Sequence, residues 1–159
     1  MAWDFHDLVR AFDPHCTLSL EEARELAVTV EEVRIAAGDV VFAEGDDPGS
    51  GLFIVGSGEF VVERRMPSGR RREIRRMFRP EFFGAMSLLD DARRHATIRA
   101  STDGTLLRIP RDRFQGLLDR DSLAAFKVVH AIARLLAGRV TIRDGEIASL
   151  RSRRRRAVR

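Results

Sequence analysis

The sequence predicts a mostly β fold with flanking α, in which short strands are followed by a long C-terminal helix and preceded by an N-terminal helix. Between residues 31 and 115 the chain breaks into short runs rich in valine, isoleucine and phenylalanine, with Gly, Asp or Pro between them. Ahead of that region "TLSLEEARELAVTV" carries a helix-start signal, and after Pro110 apolar residues recur at intervals of three and four. Short strands at close, regular spacing argue for a sandwich, jelly roll or barrel.

The elements follow in chain order. Residues 1–30 form an N-terminal helical segment, in which Ser19 followed by Glu21 and Glu22, with Leu20, Leu26, Val28 and Val30 on one face, predicts a short capped helix within 17–30. The β region, 31–115, reads as "EEVRIAA", "VVFAEG", "GLFIVGSGEFVVERR", "RREIRRMF", "ATIRAST" and "GTLLRIP". Ser57-Gly58 and "MPSG" at 66–69 fit tight turns, so two hairpins are expected. Residues 116–150 are C-terminal helices: "RDRFQGLLDRD" (111–121) leads into 122–150, with apolar residues at 125, 128, 129, 132, 135, 136, 140, 147 and 150. That helix is weakened at Gly138 and ends or kinks near residues 144–145. Its stripe needs a cover: the β region, a second copy in a homodimer through 122–150, or another partner.

Composition narrows the function classes. With 159 residues, 44% hydrophobic and 33% charged, the chain can bury one ordinary core. It holds no apolar run of about 18 residues, the minimum for a membrane span, and "MAWDFHDLVR" lacks the basic head of a signal peptide. A cytoplasmic location is the expectation. Cys16 is the sole cysteine, which excludes an intramolecular disulfide and a cysteine-rich zinc site. The four histidines, His6, His15, His95 and His130, show no metal-ligand spacing, and no catalytic activity is expected.

Charge is concentrated in two stretches. Of 28 basic residues only Lys127 is lysine, and six of the arginines stand in "RSRRRRAVR", residues 151–159. Without that tail the formal net charge of +4 becomes about −2. A second cluster, residues 63–79, holds eight arginines against Glu63 and Glu73. Both are read as solvated, one as a hairpin face and the other as a disordered end, rather than as nucleic-acid-binding arms.

Two segments carry a family resemblance. "GDVVFAEGDDPGSGLFIVGSGEFVV" (38–62) and "FFGAMSLLDDARRHATIRA" (82–100) resemble the cyclic nucleotide-binding domains of catabolite activators and protein kinase A regulatory subunits. Gly38, Asp39, Gly45, Gly58, Phe83, Gly84, Leu88, Arg94, Ala96 and Thr97 fall at that family's spacing. The resemblance spans about residues 20–145 and implies a double-stranded β-helix, or jelly roll, without a helix-turn-helix following it. It also implies a ligand, cyclic AMP or cyclic GMP, and a regulatory rather than catalytic role. The output would pass through the C-terminal helix to a dimer or an unknown effector protein.

The resemblance also assigns a site. The segment from Phe83 becomes a short helix whose first N–H groups face the cyclic phosphate, with Gly84, Ala85 and Met86 supplying backbone donors and Ser87 a hydroxyl. Arg94 pairs with the same phosphate through its planar fork, and His95 and Ala96 line the pocket beyond. Arg139, on the C-terminal helix, would lie nearest the base. Ala85 departs from the pattern, because the family has there a glutamate that accepts the ribose 2′-hydroxyl. Loss of that bond costs roughly 1.5–3 kcal/mol, about tenfold to a hundredfold in affinity. Arg93 and His95 add bulk beside the anion position. A degenerate roll serving as an interaction or dimerisation module, with Arg94 bonded to backbone carbonyls or to Asp90 or Asp91, is the alternative.

Overall fold

Local signals in the sequence fix where the helices start and where the strands turn. A computed structural model describes residues 5–13, 17–49 and 51–138 of the chain. Helix α1 is Phe5–Phe12, and α2 is Leu20–Ala27. Ser19 caps α2 through a reciprocal pair: its hydroxyl accepts from the Glu22 N–H, and the Glu22 carboxylate accepts from the Ser19 N–H. The expected apolar face is narrower than its sequence suggests. Ala23 and Leu26 are buried, whereas Leu20 and Val28 are exposed, since they stand at the first position of the helix and just past its end.

Eight strands follow: β1 (Glu31–Ile35), β2 (Val40–Phe42), β3 (Gly51–Ser57), β4 (Phe60–Arg65), β5 (Arg71–Met77), β6 (Phe82–Phe83), β7 (Thr97–Ala100) and β8 (Gly104–Pro110). Of the two expected hairpins, only that between β4 and β5 is present: the Ser57-Gly58 turn carries the chain from one sheet to the other, because β3 pairs with β8 and β6 and not with β4. The strands form two four-stranded antiparallel sheets, in the orders β1-β8-β3-β6 and β2-β7-β4-β5. The chain crosses repeatedly between the sheets, which makes the fold a jelly roll. Between β6 and β7 lies the one-turn helix α3 (Met86–Leu89), and after β8 come α4 (Arg111–Leu118) and α5, helical over residues 123–138.

Two apolar clusters organise the interior. Inside the roll, Phe53, Val55, Phe60, Met77, Phe83, Ile98 and Leu106 pack together. At its helical end, Leu8 and Phe12 of α1, Leu26 of α2, Leu88 of α3, Phe114 of α4, and Val128 and Ile132 of α5 share one core with Leu52, Ile54 and Leu107 of the roll. The stripe of α5 is therefore covered by the chain's own body as far as Leu136. Positions 140, 147 and 150 and the tail 151–159 lie outside the described residues.

Candidate functional site

Three segments converge on Arg94, which stands in the irregular stretch before β7: the β2–β3 connection, the start of β3 and the turn into α3. The Arg94 backbone is clamped on both sides, its N–H donating to the Asp46 carbonyl at 2.9 Å and its carbonyl accepting from the Gly45 N–H at 2.8 Å. This forces the side chain inward, where only 7% of the residue is exposed. The guanidinium lies over the Phe42 ring, 4.0 Å from its centroid, and Phe42 in turn packs on Phe53 and Phe83. Phe83 stacks on Phe53 at 5.3 Å, so it belongs to the aromatic wall behind the arginine.

The polar partners of Arg94 are few and distant. Nη1 donates to the Gly84 carbonyl at 3.4 Å and the Ser87 Oγ at 3.3 Å, and Nη2 donates to the Gly51 carbonyl at 3.5 Å. Nε is buried with no partner. These bonds sit at the long limit for N–H···O contacts, and a buried charge normally demands short ones. Burial pulls the Arg94 pKa below the ordinary arginine value, and the Asp46 carboxylate pushes it partly back. The two acids that could have paired with it are engaged elsewhere. Asp91 bridges to Arg111 at 2.5 Å, and the Asp90 carboxylate accepts from the Ala92 N–H.

Glycines hold the cradle open. Gly84 has φ +75°, and a Cβ there would stand 3.0 Å from Arg94 Nη1 and 3.1 Å from the Gly51 carbonyl oxygen. At Gly51, φ is +129° and a Cβ would fall 2.0 Å from the Ile109 carbonyl oxygen, so β3 can lie against β8 only without a side chain there. Ser87, 2% exposed, donates to the Gly84 carbonyl at 2.7 Å or the Gly51 carbonyl at 3.0 Å. Its own N–H donates to Gly84 O at 3.1 Å and that of Leu88 to Ala85 O at 3.0 Å. The N–H groups of Ala85 and Met86 precede this first turn and have no partner within it.

Of the residues expected at the site, Gly84, Ala85, Met86, Ser87 and Arg94 are thus brought together on the turn into α3 and the irregular segment before β7. Ala96 is half-buried and His95 is exposed. Arg139 lies outside the described residues. Phe42, Gly49 and Gly51 were not among the expected residues. A Cβ at Gly49 would meet Arg94 Nη2 at 3.2 Å. The available signal was the density of glycine in "GDDPGSG", more than a connecting turn requires. A separate surface cleft of about 600 Å³, lined by Arg34, Asp39, Asp103 and Thr105 among others, contains none of the expected residues.

Comparisons with known proteins identify the family and the fold. The family described as the cyclic nucleotide-binding domain matches residues 32–121. The cyclic AMP receptor protein of Thermus thermophilus is 34% identical over 127 residues, covering 79% of this chain and 56% of that protein. A cAMP-dependent protein kinase regulatory subunit from Emericella nidulans is 33% identical over 97 residues, 61% of this chain and 23% of the subunit. The solved cyclic nucleotide-binding domain from Methylobacillus flagellatus KT has the same fold, with a TM-score of 0.79 over 91% of this chain and 82% of its own, at 23% identity. The chain spans about half the length of the first of these relatives and about a quarter of the second. With the roll, the short helix at its mouth and more than half of the sequence matched, the chain belongs to the cyclic nucleotide-binding domain family.

Proposed function

We propose that the chain is a regulatory receptor for a cyclic nucleotide, cyclic AMP or cyclic GMP, held at Gly84 to Ser87 and Arg94. The observation that carries this reading is the Arg94 guanidinium, buried, with Nε unpartnered and its other bonds stretched to between 3.3 and 3.5 Å. A cyclic phosphate offers one negative charge and two free oxygens, which a planar fork can bond together. The N–H groups of Ala85 and Met86, which the first turn of α3 does not use, would add donors to the same anion. Cyclic AMP is the first candidate, because both curated relatives carry cyclic AMP in their names.

Occupancy would reach the helices through α3. Leu88 of α3 shares a core with Phe114 of α4 and with Val128 and Ile132 of α5, and Ala85 packs against that core. A ligand that repositions α3 therefore repacks the seat of α5, and the output follows from its different affinity for the two arrangements. Leu123 and Phe126 of α5 are exposed and form the surface offered to an effector or a second copy. No helix among the described residues is long and apolar enough to cross a membrane.

The second reading, a degenerate interaction module, is favoured by Ala85, which cannot accept a ribose hydroxyl. Thermal unfolding separates the two. Cyclic AMP or cyclic GMP at about a hundred times its Kd raises the unfolding midpoint, by mass action worth about 2.7 kcal/mol, and 5′-AMP raises it much less. No shift with either cyclic nucleotide up to millimolar concentration assigns the chain to the second reading.

A further inference from the structure

We propose that the β4–β5 hairpin is a docking element for the phosphate backbone of double-stranded DNA, independent of the nucleotide site. Register is the first reason. β4 pairs with β7 only as far as Glu63, opposite Thr97, but continues along β5 to Arg65, opposite Arg71. From Arg64 to Arg72 the chain is therefore a ribbon of two strands, closed by a turn in which the Met66 N–H donates to the Arg70 carbonyl and the Gly69 N–H to the Met66 carbonyl, both at 2.8 Å.

The pairing itself is costly without an anion. Arg64 stands opposite Arg72 and Arg65 opposite Arg71. Side chains so opposed have Cβ atoms about 4.5–5.5 Å apart, and like charges there destabilise the hairpin. Neutralisation within the chain is thin. Arg71 lies 3.7 Å from Glu63, Arg64 lies 4.0 Å from Glu44, and Arg65, Arg70 and Arg72 make no ion pair among the described residues. Protection of a sheet edge is an insufficient account, because one or two charges on β5 would achieve it without a matching pair on β4.

Charge density and shape select the occupant. A cluster this dense is best matched by a phosphodiester duplex, which carries one negative charge per about 1.7 Å of axis. The B-form major groove admits a two-stranded ribbon, whereas the A-form groove is too narrow. An anionic membrane fits less well, since the exposed tip, Pro67, Ser68 and Gly69, carries no large apolar side chain, Met66 beside it is half-buried, and Ile74 stands among arginines.

The test is fluorescence anisotropy of a short mixed-sequence DNA duplex titrated with the full chain. Binding that weakens on the order of a hundredfold between about 50 and 200 mM salt is expected for about four neutralised phosphates. The combined variant Arg65→Ser, Arg70→Ser and Arg72→Ser should lose at least tenfold in affinity, flatten the salt slope by about 2.7, and unfold no earlier than the parent. A second variant, with the six arginines of 151–159 replaced by serine, should retain most of the binding. The proposal is overturned if the hairpin variant binds as the parent does, or if the tail variant alone abolishes binding. Stronger binding to polyglutamate or to anionic vesicles than to the duplex also overturns it, and points to an acidic protein or a membrane instead.

Discussion

Arg94 keeps its charge in a largely buried place, against an aromatic ring and three oxygen acceptors at long range. Its pKa lies below the ordinary value because burial disfavours the charged form. A base of this kind binds its proton less tightly folded than unfolded, so stability rises only in the strongly alkaline range as pH climbs from the folded toward the unfolded value, and at neutral pH the cost is fully present. Arg94→Met keeps the contact with Phe42 and removes that cost. The variant is expected to melt at or above the parent temperature in the absence of nucleotide, measured by circular dichroism, while failing to bind nucleotide. Ala85→Glu is the complementary change: it restores a carboxylate acceptor and is expected to tighten cyclic nucleotide binding about tenfold or more by titration. These residues were unequally legible in the sequence. Arg94 and Gly84 stand at spaced positions of a recognisable pattern, but Phe42 was hidden, because nothing in a β-strand sequence says which aromatic ring will lie under a cation from 52 residues away.

Besides the core they share, helices α2 and α5 are linked by an ion pair. Glu22 Oε1 lies 2.7 Å from Lys127 Nζ, which also donates to the Thr17 carbonyl at 3.1 Å. The hydrogen bond from Lys127, followed by the Ser19 N–H, holds the Glu22 carboxyl below its ordinary value of 4.5. A depressed acid contributes stability that is full above the unfolded value and lost as pH falls through the folded one. Lys127→Met is therefore expected to lower the unfolding midpoint by a few degrees at pH 7. The gap to the parent should narrow below about pH 4.5. A gap that is constant with pH would mean that Lys127 acts through packing alone. The sequence showed the Ser19–Glu22 capping box, which is local, but not the ion pair, which spans 105 residues. Strand β6 was missed for a related reason: two residues cannot display a period, and Phe82 and Phe83 are a strand only because β3 pairs with them.

In the molecule as a whole, the roll was legible because turns and alternating strands write themselves into composition. The cover of α5 was not. Periodicity marks a face as apolar without naming its neighbour, and the sequence left the roll, a second copy and another partner all open. The structure gives the face from Ala125 to Leu136 to the chain's own core and leaves Leu123 and Phe126 outside. Signalling then depends on whether an anion at Arg94 moves α3 and, through Leu88, the seat of α5. Isothermal titration with cyclic AMP and cyclic GMP, the parent beside Arg94→Met, tests that dependence at its origin. The account predicts saturable micromolar binding to the parent and none to the folded variant. No heat with the folded parent up to millimolar nucleotide, or equal binding by both proteins, would contradict it.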